Sequence, residues 1–293
     1  MNEEKLEIMK NRNGFIAALD QSGGSSGKTL KLYGINEDEY SSDEEMFDLI
    51  HAMRTRVMKS KEFTSDKIVG VILFEQTMNR KIDDKYTSEY LWDKNILSFL
   101  KVDKGLEELK DGVQLMKDIP GLEDTLDVAI ERGIFGTKMR SVIKEANEEG
   151  IKKIVKQQFD IAKIIAGKGL VPIIEPEVDI NAPDKEKCEE ILRAEVMKEL
   201  AALPDDTKVM FKFTIPSVDN YYKEVMEDKH VVKVVALSGG YEREDACERL
   251  ARNKGMIASF SRALLEGLKV SDTEEEFDKK LADSIDLIYR ASL

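Results

Sequence analysis

An α/β chain closed into a (β/α)8 barrel, the TIM-barrel architecture, is the fold class that the sequence predicts, on three observations. Eight short apolar runs recur along its 293 residues, with segments of helical periodicity between them. Strands that alternate with helices pair in parallel through right-handed crossovers. The length also suits one large barrel, for which about 250 residues is typical, and no Pro/Gly/Ser-rich linker divides the chain. One domain over residues 1–293 is expected, with an open doubly wound sheet as the second architecture.

The apolar runs are Gly14 to Asp20, Ile68 to Glu75, Ile96 to Asp103, Gly133 to Arg140, Gly169 to Glu177, Val209 to Ile215, Val231 to Ser238 and Met256 to Arg262. Between them, Met46, Ile50, Met53 and Val57 fall on one helical face, as do Ile151, Val155, Phe159 and Ala162. Ile191, Leu192, Val196 and Leu200 mark the helix before the sixth strand, and Phe277, Leu281, Ile285 and Ile288 the last helix. Ser42 or Asp43 caps the first of these helices, and Thr273 with Glu276 reads as a capping box. The long stretch between the first two strands holds an additional turn or helix.

Composition narrows the function. Hydrophobic content of 42% and charged content of 35% describe a soluble globular chain, and the net charge of −13 argues against nucleic acid or an anionic membrane as partner. No stretch is apolar enough to span a bilayer, and the acidic N-terminus has no signal-peptide core, so the cytoplasm is the expected compartment. Cys188 and Cys247 lack CxxC spacing and read as reduced helix residues. His51 and His230 are the only histidines, read as surface or loop residues; no zinc-ligand spacing and no G-x-S-x-G elbow appears. No metal or other cofactor is expected, and homo-oligomerisation is left open.

In barrels of this kind chemistry gathers at the C-terminal ends of the strands. The runs end in Asp20, in Lys101 and Asp103, in Lys138 and Arg140, in Glu175 and Glu177, in Ser238-Gly239-Gly240 and in Ser259 to Arg262. Residues two apart share a strand face, so each charged pair points together. The sixth run, Val209-Met210-Phe211-Lys212-Phe213-Thr214-Ile215, sets Lys212 on the face opposite Phe211 and Phe213. A lysine so placed is poorly solvated, which disfavours its ammonium form and favours Schiff-base chemistry with a carbonyl.

The remaining roles follow from that amine. A carbinolamine loses water only with a general acid, and Glu175, set among apolar neighbours, can hold a proton near neutrality. Lys138 would disfavour the charged form of Lys212 by like-charge repulsion. Asp20 can take the proton of a substrate hydroxyl and so trigger carbon–carbon cleavage. Ser238, Gly239 and Gly240 offer unobstructed backbone N–H groups, and Arg262, beside Ser261, offers a fork that matches phosphate. Across the mouth, Ser22, Ser25 and Lys28, together with Lys101, Arg140 and the neighbouring Glu177, form a candidate second anion site. Focusing basic groups in one cleft lets an acidic protein bind an anion.

With these residues in place, the chain resembles the class I fructose-bisphosphate aldolases of the shorter bacterial kind over nearly its whole length. The motifs are Ala17-Ala18-Leu19-Asp20-Gln21-Ser22, Leu100-Lys101-Val102-Asp103-Lys104-Gly105, Lys138-Met139-Arg140, Pro172-Ile173-Ile174-Glu175-Pro176-Glu177 and Leu237-Ser238-Gly239-Gly240. The resemblance implies reversible, metal-free cleavage of fructose 1,6-bisphosphate to dihydroxyacetone phosphate and glyceraldehyde 3-phosphate. It makes Lys212 the Schiff-base lysine, Glu175 the main proton shuttle, and Asp20 and Lys138 assistants at the bond being broken. Ser238, Gly239 and Arg262 would hold the ketone-side phosphate, and Ser25, Lys101 and Arg140 would lie near the other.

Three departures stand out. Lys212 is followed by Phe-Thr-Ile-Pro rather than the Pro-Asn usual in the animal enzymes, and Thr29 stands where a basic residue often follows the motif's lysine. No counterpart of the animal enzymes' C-terminal tail, with its functional tyrosine, is expected after Leu293, which leaves the group that protonates the enamine open. A tagatose-bisphosphate or deoxyribose-phosphate aldolase is the alternative among enzymes, and a non-catalytic sugar-phosphate-binding protein the alternative outside them.

Overall fold

The computed structural model describes residues 2–293. Eight parallel strands lie in chain order around the sheet: β1 (Phe15–Leu19), β2 (Ile68–Leu73), β3 (Leu97–Lys101), β4 (Gly136–Ile143), β5 (Val171–Val178), β6 (Val209–Thr214), β7 (Val231–Leu237) and β8 (Ile257–Ala258). The β1–β8 seam is thin: the Ala18 N–H donates to Phe260 O at 3.1 Å. The helices longer than one turn are α1 (Glu3–Asn11), α2 (Gly24–Tyr33), α3 (Asp43–Lys59), α4 (Thr87–Asp93), α5 (Leu122–Glu131), α6 (Glu148–Gly167), α7 (Lys185–Ala201), α8 (Arg243–Ala251) and α9 (Glu274–Ala291). The long excursion after β1 holds α2 and α3. Ser42 caps α3, and Thr273 with Glu276 forms the capping box of α9.

Strand alternation divides the apolar residues into two layers. Val209, Phe211 and Phe213 of β6 join the layer that packs against the helices. Phe211 stacks on Phe213 at 5.1 Å and tilts against Phe159 of α6 at 6.0 Å, while Phe213 stacks on Tyr222 at 4.2 Å. Burying each such ring contributes roughly 1.5–3 kcal/mol. Met210, by contrast, joins Ile16, Ala18, Phe99, Ile173 and Val235 in a second, inner cluster. Leu6 and Met9 of α1 belong to it as well, so the N-terminal helix plugs the floor of the barrel. Phe99 fills the centre, and this requires glycine opposite: a Cβ at Gly136 would lie 2.1 Å from Val171 O and 2.9 Å from Phe99 Cδ1.

Two expected strands shift. The fourth begins at Gly136, not Gly133, because Gly133 (φ +71°) and Ile134 finish α5, with the Ile134 N–H donating to Ala129 O at 3.0 Å. It runs on to Ile143 because its parallel pairing with β5 continues to Ile143↔Val178, and Val113–Gln114 adds an antiparallel partner there. Lys138 and Arg140 are therefore inside the strand rather than at its end. The eighth strand stops at Ala258, so Ser261 lies beyond it as the N-cap of a one-turn helix, Arg262–Leu265, that Arg262 opens.

Candidate active site

The inner faces of the strands carry apolar side chains at the floor and charged ones above, so the mouth opens into a cleft of about 880 Å³. All the site residues predicted from sequence line it except Gly240. Gly240 sits just behind, where a Cβ would lie 3.6 Å from Arg262 Nη2. Seven basic and six acidic side chains line the cleft, against 45 basic and 58 acidic in the chain. The excess of acid is thus inverted locally, the condition an anionic ligand needs.

At the base of the cleft Asp20, Lys138, Glu175 and Lys212 are 8%, 3%, 3% and 4% exposed. Lys138, Glu175 and Lys212 come from β4, β5 and β6, and Asp20 directly follows β1; Lys138 pairs with Ile173 and Arg140 with Glu175 across β4 and β5. Lys138 Nζ lies 2.8 Å from Asp20 Oδ2 and 2.9 Å from Glu175 Oε2, and Lys212 Nζ lies 3.2 Å from Glu175 Oε1. The sequence leads to an expectation of like-charge repulsion between Lys138 and a nearby Lys212; in the structure the Glu175 carboxylate stands between them. Glu175 Oε2 is buried and faces Lys138 as an ion pair rather than through a directed hydrogen bond.

The charges decide the protonation of the outer pair. Burial alone would raise Asp20, but the ammonium groups of Lys138, Lys212 and Lys101 outweigh it and hold the carboxyl well below the usual carboxylate range. Burial likewise works against the Lys138 ammonium, and Asp20, Glu175 and Asp103 overcome it, holding Lys138 well above the usual lysine range. Asp20 is therefore an ionised base and Lys138 a permanent cation.

On the β7–β8 side, Gly239 (φ +62°) and Gly240 (φ +116°) form a turn, closed by the Tyr241 N–H donating to Ser238 O at 3.0 Å. A Cβ at Gly239 would lie 2.7 Å from Ile180 Cγ2, so only glycine fits. On the opposite side Lys101 pairs with Asp103 at 2.8 Å, and Arg140 Nε donates to Glu177 Oε2 at 2.6 Å. Burial works against the Arg140 charge, but Glu177 outweighs it and holds the guanidinium above its ordinary range. Ser25 Oγ accepts from the Ser22 N–H at 2.9 Å and donates to Ser22 O at 2.7 Å, while Lys28 is exposed. The second anion site is brought together, yet two of its cations already face carboxylates.

Sequence reasoning assigned no role to four residues at this site. Asp103 and Ser259 line the cleft, each with a buried oxygen that lacks a hydrogen-bond partner, Oδ2 and Oγ respectively. Gln21 also lines it and donates to Ser261 Oγ at 2.6 Å. Arg54, fully buried on α3, donates to Gln21 O at 2.6 Å. Its signal was a cation in the apolar stripe, four residues from both Ile50 and Met58. The histidines line no part of this cleft: His51 faces Lys81 O at 2.9 Å, and His230 is buried against Asp228 at 2.8 Å rather than lying on the surface. Cys188 and Cys247 are free and buried, and burial pushes their thiols up to about 12 and about 11. Among the described residues no group of three or more His, Cys, Asp or Glu is placed to hold a metal ion.

Comparison with known proteins gives a consistent result. The profile of the family "Fructose-bisphosphate aldolase class-I" matches residues 2–219. A curated relative from Clostridium acetobutylicum, fructose-bisphosphate aldolase class 1, is 59% identical over 294 aligned positions, covering 100% of both chains. Among solved structures, a fructose-bisphosphate aldolase from Plasmodium falciparum, crystallised with TRAP and a small-molecule inhibitor, superposes with a TM-score of 0.75. The match spans 99% of this chain and 93% of that one at 19% identity, and speaks for the barrel fold. The chain is a lyase that belongs to the class I fructose-bisphosphate aldolase family.

Proposed function

We propose that the cleft cleaves fructose 1,6-bisphosphate reversibly to dihydroxyacetone phosphate and glyceraldehyde 3-phosphate, with Lys212 as the covalent nucleophile and no metal. The observation that carries this assignment is the placement of Glu175, with one oxygen 3.2 Å from Lys212 Nζ and the other 2.9 Å from Lys138 Nζ. A buried amine that adds to a ketone needs an acid at hydrogen-bond reach to expel the carbinol oxygen as water. Glu175 is in that position.

Lys212 Nζ adds to the C2 carbonyl, and Glu175 delivers the proton with which the C2 oxygen leaves as water. Asp20, ionised by its cationic neighbours, removes the C4 hydroxyl proton. The C3–C4 bond then breaks: its electron pair moves into the iminium to give an enamine, and the C4 fragment departs as the aldehyde. Protonation at C3 and addition of water to the imine release the ketone product and regenerate Lys212. Lys138, fixed between Asp20 and Glu175, keeps both carboxylates in place and stabilises charge that develops between them.

Arg262 and the Ser238-Gly239-Gly240 turn take the ketone-side phosphate. Ser22, Ser25, Lys28, Lys101 and Arg140 lie toward the other, with Glu177 orienting Arg140. The whole chain, residues 1–293, acts as one domain, and the reaction runs in the cytoplasm, a reading supported by the acidic composition and the two free cysteines. No helix among the described residues is long and apolar enough to cross a membrane.

The test is steady-state cleavage of fructose 1,6-bisphosphate in excess EDTA, with aldehyde release as the readout. Full activity in EDTA that is lost in Glu175→Gln supports the assignment. Activity that disappears with the chelator and returns with a divalent cation refutes it.

A further inference from the structure

Arg54 is fully buried, and its hydrogen bonds all go to neutral groups. Nη1 donates to Thr77 Oγ1 at 2.6 Å, and Nη2 donates to Gln21 O at 2.6 Å and Gln21 Oε1 at 3.1 Å, while Nε has no partner. A desolvated guanidinium without a paired carboxylate is a stability cost that an apolar residue of similar volume would avoid. Burial pulls its guanidinium down from the ordinary arginine range, and the charge that opposes this is Asp20.

The contacts form a strut. Thr77 lies in the one-turn helix after β2, Gln21 follows β1, and Gln21 Nε2 donates to Ser261 Oγ, after β8, at 2.6 Å. The strut crosses the mouth of the barrel at the β1–β8 seam, where the ladder is reduced to the Ala18 to Phe260 bond. Asp20 is the chain neighbour of Gln21, and Arg262 is the chain neighbour of Ser261.

We propose that Arg54 is a positioning residue: through Gln21 and Ser261 it fixes the base Asp20 and the phosphate ligand Arg262 in one frame, so that carbon–carbon cleavage is aligned with the bound phosphate. The inference rests on the roles assigned above to Asp20, Arg262 and Lys212. It separates two steps of the reaction. Once the ketone phosphate saturates its site, imine formation depends on Lys212, Glu175 and Lys138, none of which is hydrogen-bonded to the strut. Cleavage depends on Asp20, which it does.

The test compares Gln21→Met, Gln21→Glu and Arg54→Met with the unaltered protein in two assays, borohydride trapping on Lys212 at saturating dihydroxyacetone phosphate and kcat for turnover of fructose 1,6-bisphosphate. In Gln21→Met the kcat for cleavage falls roughly 10- to 100-fold, as a misplaced catalytic group produces, while trapping and Tm stay close to those of the unaltered protein. Gln21→Glu, whose carboxylate accepts from both Arg54 and the Ser261 hydroxyl, recovers most of that loss. Arg54→Met reproduces the Gln21→Met defect, and if it fails to fold the two Gln21 variants decide. Unchanged cleavage in Gln21→Met overturns the inference, as does a parallel fall of trapping, cleavage and Tm, or a Gln21→Glu variant as impaired as Gln21→Met. Absence of the Lys212 adduct in the unaltered protein refutes the underlying assignment of Lys212, and the inference with it.

Discussion

Lys138 Nζ sits 2.8 Å from Asp20 Oδ2 and so joins the fourth strand of the barrel to the end of the first through one buried ion pair. The same ammonium lies 2.9 Å from Glu175 Oε2, so a single cation bridges both carboxylates. Removing it strips the buried Asp20 of its salt-bridge partner and leaves Glu175 with Lys212 alone. Lys138→Met is expected to lose about 3–5 kcal/mol of stability, the cost of breaking a buried pair, with a fall in Tm on the order of 10 °C. Cleavage should fall by about 100-fold or more. Calorimetry and steady-state kinetics on the one variant check both, and a stable but inactive variant would separate the two roles.

The Asp20–Lys138 pair also sets a pH dependence. Asp20 is depressed in the folded protein because its cationic neighbours outweigh its burial. Its contribution to stability is therefore fully present above the unfolded aspartate value of about 3.9, and is lost as pH falls below that toward the folded value. Lys138 is raised, so its contribution holds below about 10.4 and fades only as pH climbs through its higher folded value. Carboxyl-resolved NMR should find Asp20 ionised throughout pH 4–8, in a range bounded by these reference values. In Lys138→Met the Asp20 titration should move upward.

Lys212→Met separates activity from stability in the opposite sense. Glu175 retains Lys138 as its partner, so removing Lys212 does not strand a buried anion. Stability should change by no more than about 1–2 kcal/mol, and can rise, because a desolvated amine is replaced by an apolar side chain. Turnover should fall on the order of 10⁴-fold or more, as in losses of a covalent nucleophile. A residual rate within tenfold of the unaltered enzyme would place the nucleophile elsewhere.

The glycine turn and Arg262 make a paired prediction. Arg262→Ala removes a charge-assisted contact of about 1.5–3 kcal/mol, and KM for the bisphosphate should rise about 10- to 100-fold with a smaller change in kcat. Gly239→Ala meets Ile180 Cγ2 at 2.7 Å from a left-handed backbone. It should raise KM similarly and also cost on the order of 1–3 kcal/mol of stability. Thermal melts distinguish the two variants.

The barrel and most of its mouth were legible in the sequence because the signals there are local. A period of two in Val209 to Ile215 sets Lys212 opposite Phe211 and Phe213, and the two apolar layers confirm that parity. What escaped depends on tertiary partners. The start of β4 moved because the Ile134 N–H is consumed by the C-terminus of α5, a competition invisible in an apolar run. Glu175 standing between two lysines follows from β5 lying between β4 and β6, a relation between strands that no single strand encodes. Arg54 was hidden by its helical context, since a cation in an apolar stripe is ordinarily read as a residue at the stripe's edge. Its burial is evident only once Gln21 and Thr77 are placed beside it.

The central claim, a covalent imine on Lys212, is tested most directly by borohydride reduction in the presence of dihydroxyacetone phosphate and EDTA, followed by peptide mass spectrometry. The expected result is one adduct, on the peptide that carries Lys212, absent in Lys212→Met and strongly reduced in Glu175→Gln. An adduct on Lys138 or Lys101 would contradict the assignment of the nucleophile, and no adduct in an enzyme that still cleaves the bisphosphate would contradict the Schiff-base mechanism itself.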